Sequence, residues 1–336
     1  MLQAIIDIGS NTIRMAIYRL RGGRADLLLK KKNLAALAAH VQNGVMQPSG
    51  IERAAQVLTE FQDFLRALKI RRVTAFATAA LRNAVNSKEA VAAIESQTGL
   101  SLRVLSGDEE AELGFLGATH DLPADSGLLV DIGGGSTELV RYEARQITAR
   151  KSLPMGSQQL ASRFVRGVLP TPDEASRLSD EAARQALLLP AASFLVVCGI
   201  GGTLKGTKNL YYAVQNRAVK KHAAKSCAKA PRAANDSIAD NPSGKSSLTA
   251  THIAKDRAFS VAALSEMIAR FTPEGDIPED DLALLLKTEP DRIHTLIPGL
   301  ILARALFSRL GTETVIYSDS GVREGFLYRE ILLGIR

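Results

Sequence analysis

The chain has 336 residues, 46% of them hydrophobic, which is enough for two domains with separate cores. No run of about 18 uncharged apolar residues occurs, so a membrane-spanning helix is excluded. The formal net charge of +7 favours an anionic partner such as a nucleotide, polyphosphate or nucleic acid, with a basic surface that binds nothing as the alternative. The N-terminus enters a predicted strand at Ala4 without the pattern of a signal peptide, so we expect a cytoplasmic protein whose two cysteines, Cys198 and Cys227, are reduced.

The first part of the chain predicts strands that alternate with helices, the pattern of an α/β fold. A strand–turn–strand from Ala4 to Tyr18 comes first, and a helix at Ile51–Leu68 follows, where apolar residues recur at helical spacing. The next predicted elements are the strand Val73–Thr78, the helix Ser87–Thr98, the strand Leu102–Ser106 and the helix Glu109–Thr119.

The segment Pro123–Gly127 has the composition of a linker, so we predict two domains, residues 1–123 and 124–336. The second domain opens with another strand–turn–strand, from Leu128 to Tyr142. The later predicted elements are two helices at Ser157–Val165 and Pro172–Leu189, the strand Phe194–Cys198, helices within Val261–Leu310, the strand Glu313–Tyr317 and a final helix.

Residues 215–256 differ in composition from the rest of the chain. They are rich in Lys, Ala, Ser and Asn and poor in large apolar residues. We predict an exposed, mobile, basic insertion, with an arm that grips a polyanion as the alternative to a simple solvated loop.

The sequence Asp-Ile-Gly occurs twice, each time at the end of an apolar strand, as Asp7–Gly9 and Asp131–Gly133. A tight turn of glycines and small polar residues points backbone N–H groups into one concavity, which favours a phosphate. We predict that the two turns face each other, and two unrelated structural hairpins are the alternative. The candidate phosphate-binding residues are Gly9, Ser10, Asn11, Thr12, Gly133, Gly134, Gly135, Ser136 and Thr137.

A carboxylate beside a phosphate-binding turn repels the ligand unless a cation lies between them. We therefore predict that Asp7 and Asp131 bind, directly or through water, a hard cation such as Mg²⁺, with Mn²⁺ as a second choice. Glu138 lies on the returning strand of the second hairpin and is the third candidate ligand of this metal.

A third glycine-rich segment follows a buried strand and opens a helix, and it is predicted to bind a further phosphate or a nucleoside through Gly201, Gly202 and Thr203. Two arginines are also placed to bind anions. Arg82 follows the predicted strand Val73–Thr78, and Arg14 follows the first turn. A surface ion pair is the alternative for either arginine.

Hydrolysis of a phosphoanhydride needs a base that activates water. The segment Ser106–Ala111 supplies two adjacent candidates, Glu109 and Glu110, at the start of a predicted helix. Acidic residues are also common there because they complement the helix dipole. The two side chains point about 100° apart, so one at most faces a shared cleft, and helix geometry does not decide which.

Seven stretches, in order, resemble the exopolyphosphatase/guanosine pentaphosphate phosphohydrolase (Ppx/GppA) family, within the sugar kinase–Hsp70–actin superfamily. They are Asp7–Thr12, Ala77–Asn86, Ser106–Ala111, Asp131–Glu138, Met155-Gly156, Gly199–Thr203 and Ser318–Gly325. The resemblance implies two actin-like (ribonuclease H-like) lobes, each a mixed sheet flanked by helices, with the active site in the cleft between them.

The same resemblance implies a function and roles for individual residues. It implies Mg²⁺-dependent hydrolysis of the terminal phosphate of inorganic polyphosphate or of guanosine pentaphosphate, with Glu110 as the base. Asp131, with Glu138 nearby, matches the metal site, Asp7 the acid of the first phosphate motif and Arg82 a phosphate contact. We expect an exopolyphosphatase. The alternatives are a guanosine pentaphosphate hydrolase and a catalytically weak nucleotide-binding regulator.

The expected partner is therefore the phosphate substrate. No nucleic-acid recognition motif is found, so we expect neither specific nucleic-acid binding nor membrane binding. A homodimer is suggested by the family resemblance alone.

Overall fold

The computed structural model describes residues 1–189, 193–227 and 256–333, and for residues 218–227 it describes the helical backbone alone. Of the predicted insertion at 215–256, residues 215–227 continue a helix, whereas residues 228–255 lie outside the described part of the chain. Among the helices of the described residues, none is both long and apolar enough to cross a membrane.

The first sheet has five strands in the order β3-β2-β1-β6-β7. Strand β1 pairs antiparallel with β2 and parallel with β6, so the chain enters at the centre of the sheet. The elements are β1 (Leu2–Ile8), β2 (Thr12–Arg21), β3 (Arg24–Leu34), a small hairpin of β4 (Val41–Gln42) and β5 (Val45–Met46), α1 (Pro48–Ala67), β6 (Val73–Ala77), α2 (Ala79–Arg82), α3 (Ser87–Thr98), β7 (Leu102–Val104) and α4 (Gly107–Ala118).

The second sheet repeats this plan, with one more strand at its far edge, in the order β10-β9-β8-β11-β13-β12. The elements are β8 (Gly127–Ile132), β9 (Thr137–Glu143), β10 (Gln146–Leu153), α5 (Ser157–Phe164), α6 (Pro172–Ala186), β11 (Val196–Ile200), α7 (Gly201–Cys227), β12 (Ala258–Ser260), α8 (Ala262–Phe271), α9 (Glu279–Thr288), α10 (Ile293–Arg309), β13 (Thr314–Tyr317) and α11 (Val322–Phe326), which continues as a π-helical turn (Leu327–Leu332).

Each sheet has a large core on one face. In the first lobe α1 and α3 cover the sheet, and their buried residues include Phe61 and Ile94. In the second lobe the core contains residues of α6, α8 and α10, among them Leu178 and Phe307. These two cores are the separate hydrophobic centres that the length of the chain predicts.

Helix α4 fills the space between the two sheets. Its Leu113 packs with the first sheet, whereas Phe115 packs with residues of the second sheet such as Tyr142. The first turn of α4 is fixed by a capping box, in which Ser106 accepts from the Glu109 backbone N–H and the Glu109 side chain accepts from the Ser106 N–H. The residues that follow this cap are therefore held at the boundary of the lobes.

The closing helix α11 packs against the first lobe, although the predicted domain 124–336 includes it. Phe326 stacks on Phe76 of β6, with ring centroids 4.7 Å apart. A Cβ added at Gly325 would lie 1.9 Å from the Leu113 carbonyl oxygen of α4. The two helices therefore touch through their backbones, and the chain crosses between the lobes twice.

Candidate active site

The two Asp-Ile-Gly turns meet between the lobes. A Cβ added at Gly135 would lie 2.7 Å from Ser10 Oγ, and one added at Gly134 would lie 3.0 Å from Ser10 Cβ. Glycine at these positions is what allows the turns to approach each other. The predicted facing of the two turns is therefore present in the structure.

The first turn offers an unpaired donor. Asn11 is buried, and in the described part of the chain no acceptor reaches its side-chain Nδ2. A buried amide without a partner costs free energy unless a ligand supplies the acceptor. The backbone carbonyl of Asn11 already accepts from Ala35 and Ala36, so its backbone is fixed while the amide group stays available. This arrangement fits an oxygen-rich anion at the turn.

Two of the residues predicted to contact phosphate, Thr137 and Thr203, have protein acceptors for their hydroxyl groups, and their contact with phosphate stays a prediction. Thr137 Oγ1 donates to the Met155 carbonyl oxygen at 2.7 Å, and Thr203 Oγ1 donates to Ser157 Oγ at 3.0 Å. Both threonines are buried. Their hydroxyl protons hold the surrounding loops together, because each has a protein acceptor.

The third glycine-rich turn begins later than the sequence predicts, because the strand before it continues beyond Cys198. Strand β11 includes Gly199 and Ile200, which pair with Val130 and Asp131 of β8. The turn is therefore confined to the start of α7, where Gly201 has a φ of +86°. A Cβ on Gly201 would lie 2.0 Å from Asp131 Oδ1, so this glycine makes room for the carboxylate.

Asp7 and Asp131 occupy equivalent places at the ends of the central strands. Asp7 pairs in register with Arg14 of β2, and Arg14 Nη1 lies 3.4 Å from Asp7 Oδ2. Burial raises the pKa of Asp7 even though Arg14 opposes this effect. Burial, followed by the charge of Glu110, raises the pKa of Asp131 to about 7.

Glu138 faces Asp131 across the β8–β9 pair. It is buried and accepts a hydrogen bond from Ser152 Oγ at 2.8 Å. Burial, then the charges of Glu110 and Asp131, raise the pKa of Glu138 well above its usual value. Carboxyl groups that raise one another's pKa in this way need either protons or a cation.

The chemistry of these carboxylates fits a hard divalent cation, but the protein alone does not complete its ligand shell. Among the described residues, no three His, Cys, Asp or Glu side chains come close enough to hold one metal ion. Mg²⁺ is commonly bound by one or two carboxylates together with substrate phosphates and water. Binding of Mg²⁺ by Asp7, Asp131 and Glu138 stays a prediction.

Arg82 and Glu110 form the pair at the centre of the site. Arg82 Nη1 donates to Glu110 Oε2, and Arg82 Nη2 lies 3.7 Å from Glu138 Oε1. Burial raises the pKa of Glu110 in spite of the opposing charge of Arg82. Glu110 is thus a buried carboxylate with raised proton affinity, as a general base needs.

The side chains of the two adjacent glutamates, Glu109 and Glu110, have different surroundings, as the geometry of a helix requires. Glu109 completes the capping box and accepts from Arg103 Nη2 at 2.7 Å. Hydrogen bonds from Ser106 contribute most to lowering the pKa of Glu109. Of this pair, Glu110 alone contacts Arg82, so it is the one that lies in the cleft.

Sequence reasoning missed Arg292, which precedes α10. Its guanidinium lies against the backbone of Gly202, where an added Cβ would be 2.1 Å from Nη2. Burial, followed by the charge of Arg14, lowers the pKa of Arg292 to about 10. Glu289 is the nearest acid, with 3.9 Å between the charged atoms. Two arginines that repel each other across the cleft favour an anion between them.

More basic side chains lie around the turn after β13. Lys205 Nζ donates to Asp319 Oδ1 at 2.9 Å. Burial would raise the pKa of Asp319, but the surrounding lysines outweigh burial and lower it. Burial and the nearby Arg323 lower the pKa of Lys30. We call the following residues the cationic side of the cleft: Arg14, Lys30, Lys205, Lys208 and Arg292.

Comparison with protein families and solved structures places this site in context. The model of the Ppx/GppA phosphatase family matches residues 16–333. A crystal structure of the Aquifex aeolicus member of that family is similar at 23% identity, with a TM-score of 0.66, over 100% of this chain and 99% of that chain. An exopolyphosphatase from Cytophaga hutchinsonii is similar at 20% identity, with a TM-score of 0.74 and the same coverage.

At these identities the likeness shows the fold. It confirms the predicted α/β class and the two actin-like lobes, each built on a mixed sheet flanked by helices. The candidate residues above lie where the two lobes meet.

Proposed function

Because the chain belongs to the Ppx/GppA phosphatase family, we propose that it is a Mg²⁺-dependent exopolyphosphatase, which releases orthophosphate from the end of an inorganic polyphosphate chain. Membership of the family supports phosphoanhydride hydrolysis in general. The observation that carries the proposal at the level of residues is the buried Arg82–Glu110 pair beside the two facing turns.

The terminal phosphate binds where donors without strong partners converge. Asn11 Nδ2 provides a hydrogen bond, together with backbone N–H groups of the two turns other than those of Gly9 and Gly133, which donate within their own turns. Arg14 and Arg292 neutralise the phosphates that follow. Mg²⁺, when bound by Asp7 and Asp131, would offset the charge on the phosphate oxygens.

Glu110 orients the attacking water and removes its proton. The water oxygen forms a bond to the terminal phosphorus, the bridging P–O bond breaks, and its electron pair stays on the shortened chain. The proton resides on the Glu110 carboxylate, whose burial raises its pKa towards the range that suits a base at neutral pH.

Arg82 couples substrate binding to this chemistry. It donates a hydrogen bond to Glu110, which lowers the basicity of that carboxylate. An incoming phosphate competes for the guanidinium, because phosphate and carboxylate are both good arginine ligands. As Arg82 turns towards the phosphate, Glu110 becomes a stronger base at the moment when it is required.

Support for polyphosphate over a nucleotide comes from the two tyrosines that follow the third turn in the sequence. Tyr211 contacts Tyr212 edge to face at 5.2 Å and packs against the core near Phe259. Tyr212 donates through its hydroxyl group to the Ala258 carbonyl oxygen at 2.6 Å. Both rings are engaged in packing, whereas the cationic side of the cleft matches a chain that carries charge on every unit.

The test is phosphate release with Mg²⁺ from long polyphosphate and from guanosine pentaphosphate, measured in parallel. We expect the larger kcat/KM on polyphosphate and loss of release when the metal is chelated. A larger kcat/KM on the guanosine compound would replace the proposal with the nucleotide hydrolase. Binding of either compound without release would indicate a regulator.

A further inference from the structure

A cavity of about 560 Å³ opens on the side of the cleft opposite the cationic side. Both lobes line it. The first lobe contributes Arg82, Asn83 and Ser106, and the second lobe contributes Arg150, Lys151 and Ser152. Its volume lies in the range of about 300–1,000 Å³ that small-molecule sites occupy.

The inner wall of this cavity is shared with the catalytic carboxylates. Arg82 lines the cavity and also donates to Glu110. Ser152 lines it and donates to Glu138. Arg82 therefore connects the site of hydrolysis with the cavity, because the same side chain borders both.

The topology places the polyphosphate chain on the other side of Arg82. The cationic side of the cleft belongs to β2, β3, α7 and the segment before α10, whereas the cavity belongs to the loops after β6 and β7 and to β10. In the first sheet, β2 and β3 lie on one side of β1, and β6 and β7 lie on the other. The two openings thus lie at opposite ends of one cleft.

The outer rim of the cavity is open to solvent and carries weak ion pairs. Arg150 of β10 lies 3.4 Å from Asp108 and 3.7 Å from Glu112, both of α4. All three side chains are more than one-third exposed. Exposed ion pairs contribute about 0–1 kcal/mol each, so Arg150 can exchange these carboxylates for a phosphate at little cost.

We infer that the cavity is the exit for orthophosphate, which leaves past Arg82 and Arg150 while the shortened polyphosphate chain stays on the cationic side. This inference rests on the proposed function. An exit through the cavity separates the path of the product from the path of the substrate, so the polyphosphate chain need not dissociate after each hydrolysis.

The test reverses the charge of one exposed residue at each end of the cleft, in the full-length protein. Arg150→Glu places an anion at the rim of the cavity, and Arg150→Gln removes the charge alone. Lys205→Glu places an anion on the cationic side of the cleft. Lys69→Glu, at the opposite end of β6 from Arg82, is the matched control. The measurements are KM for polyphosphate, the inhibition constant of added orthophosphate, and the rate of phosphate release against the rate of hydrolysis in a single turnover.

We expect Arg150→Glu to slow phosphate release severalfold after an unchanged hydrolytic step and to weaken inhibition by added orthophosphate, with KM for polyphosphate unchanged. Arg150→Gln should show a smaller effect in the same direction, and Lys205→Glu should raise KM instead. A raised KM in Arg150→Glu, or unchanged phosphate release and inhibition, overturns the exit. A wild-type protein that releases no phosphate from polyphosphate overturns the proposed function, which is a distinct result.

Discussion

Arg82 of α2 donates a hydrogen bond to Glu110 of α4, and both side chains are largely buried. Loss of the cation would leave a buried acid without compensation. We expect Arg82→Ala to reduce the free energy of unfolding by as much as about 3–5 kcal/mol and to lower kcat/KM for polyphosphate. Arg82→Lys keeps the charge but loses the planar fork, so it should restore more stability than activity. Thermal unfolding and steady-state kinetics test this, and an Arg82→Ala protein with wild-type stability would contradict it.

The pKa of Asp131 predicts how stability depends on pH. Its folded-state pKa of about 7 exceeds the ordinary 3.8, so folding favours the protonated form. This contribution is fully present below the unfolded pKa and is lost as pH rises through the folded pKa. As the pH rises from about 4 to about 7, Asp131→Asn should therefore gain stability relative to the wild type. Denaturant titrations in the absence of metal measure this difference.

The effect of Mg²⁺ on the melting temperature tests whether the Asp131 carboxylate binds the metal. Because it binds the ionised carboxylate, it should raise the melting temperature of the wild type at the upper end of this range and have less effect on Asp131→Asn. Asp173→Asn, a change at an exposed aspartate of α6, should leave both responses as in the wild type. A Mg²⁺ response that is identical in all three proteins would contradict metal binding at Asp131.

Alanine substitutions at Gly201 and Gly99 should distinguish the cost of backbone strain from the displacement of the Asp131 carboxylate. Gly201 and Gly99 both have positive φ, +86° and +69°, but an added Cβ at Gly201 meets Asp131 whereas one at Gly99 meets nothing within 4 Å. Gly99→Ala should therefore cost about 1–2 kcal/mol of stability through backbone strain and leave catalysis intact. Gly201→Ala should also weaken the Mg²⁺ dependence of phosphate release, measured as the metal concentration for half-maximal rate. Equal metal dependence in the two variants would show that Asp131 is not displaced.

The Thr137 side chain should contribute to the stability of the fold and not to the binding of polyphosphate. Its hydroxyl group is buried and donates to the Met155 carbonyl oxygen. Thr137→Val should cost about 1–3 kcal/mol, because that carbonyl is left unsatisfied, and KM for polyphosphate should stay unchanged below the unfolding temperature. Thr148→Val breaks an exposed hydroxyl–carbonyl bond and should cost little. A raised KM in Thr137→Val with unchanged stability would instead support a phosphate contact of the Thr137 hydroxyl group.

The sequence was sufficient for the fold class and for the approach of the two turns, because both follow from local patterns. Apolar strands that alternate with helices predict the α/β fold, and the repeated Asp-Ile-Gly predicts two equivalent hairpins. The matched family and the similar structures confirm the family and the lobes. Cytoplasmic location, the homodimer and Mg²⁺ binding stay predictions.

Long-range contacts explain what local patterns did not predict. Arg292 is far along the chain from Gly202, and their contact depends on how α7 and α10 pack. Strand β11 continues through Gly199 and Ile200 because β8 and β13 pair with it on both sides. The packing of α11 on the first lobe likewise depends on the backbone contact of Gly325 with α4. None of these pairings leaves a periodic signal in the sequence.

The adjacent glutamates of α4 allow a direct test of whether Glu110 is the base. Glu110→Gln preserves size and hydrogen bonding but removes the basic oxygen, whereas Glu109→Gln keeps a capping-box residue outside the cleft. We predict that Glu110→Gln lowers kcat for polyphosphate by about 10²–10⁴-fold and that Glu109→Gln leaves it close to the wild-type value. Equal rates for the two variants, with both proteins folded, would contradict the assignment of Glu110 as the base.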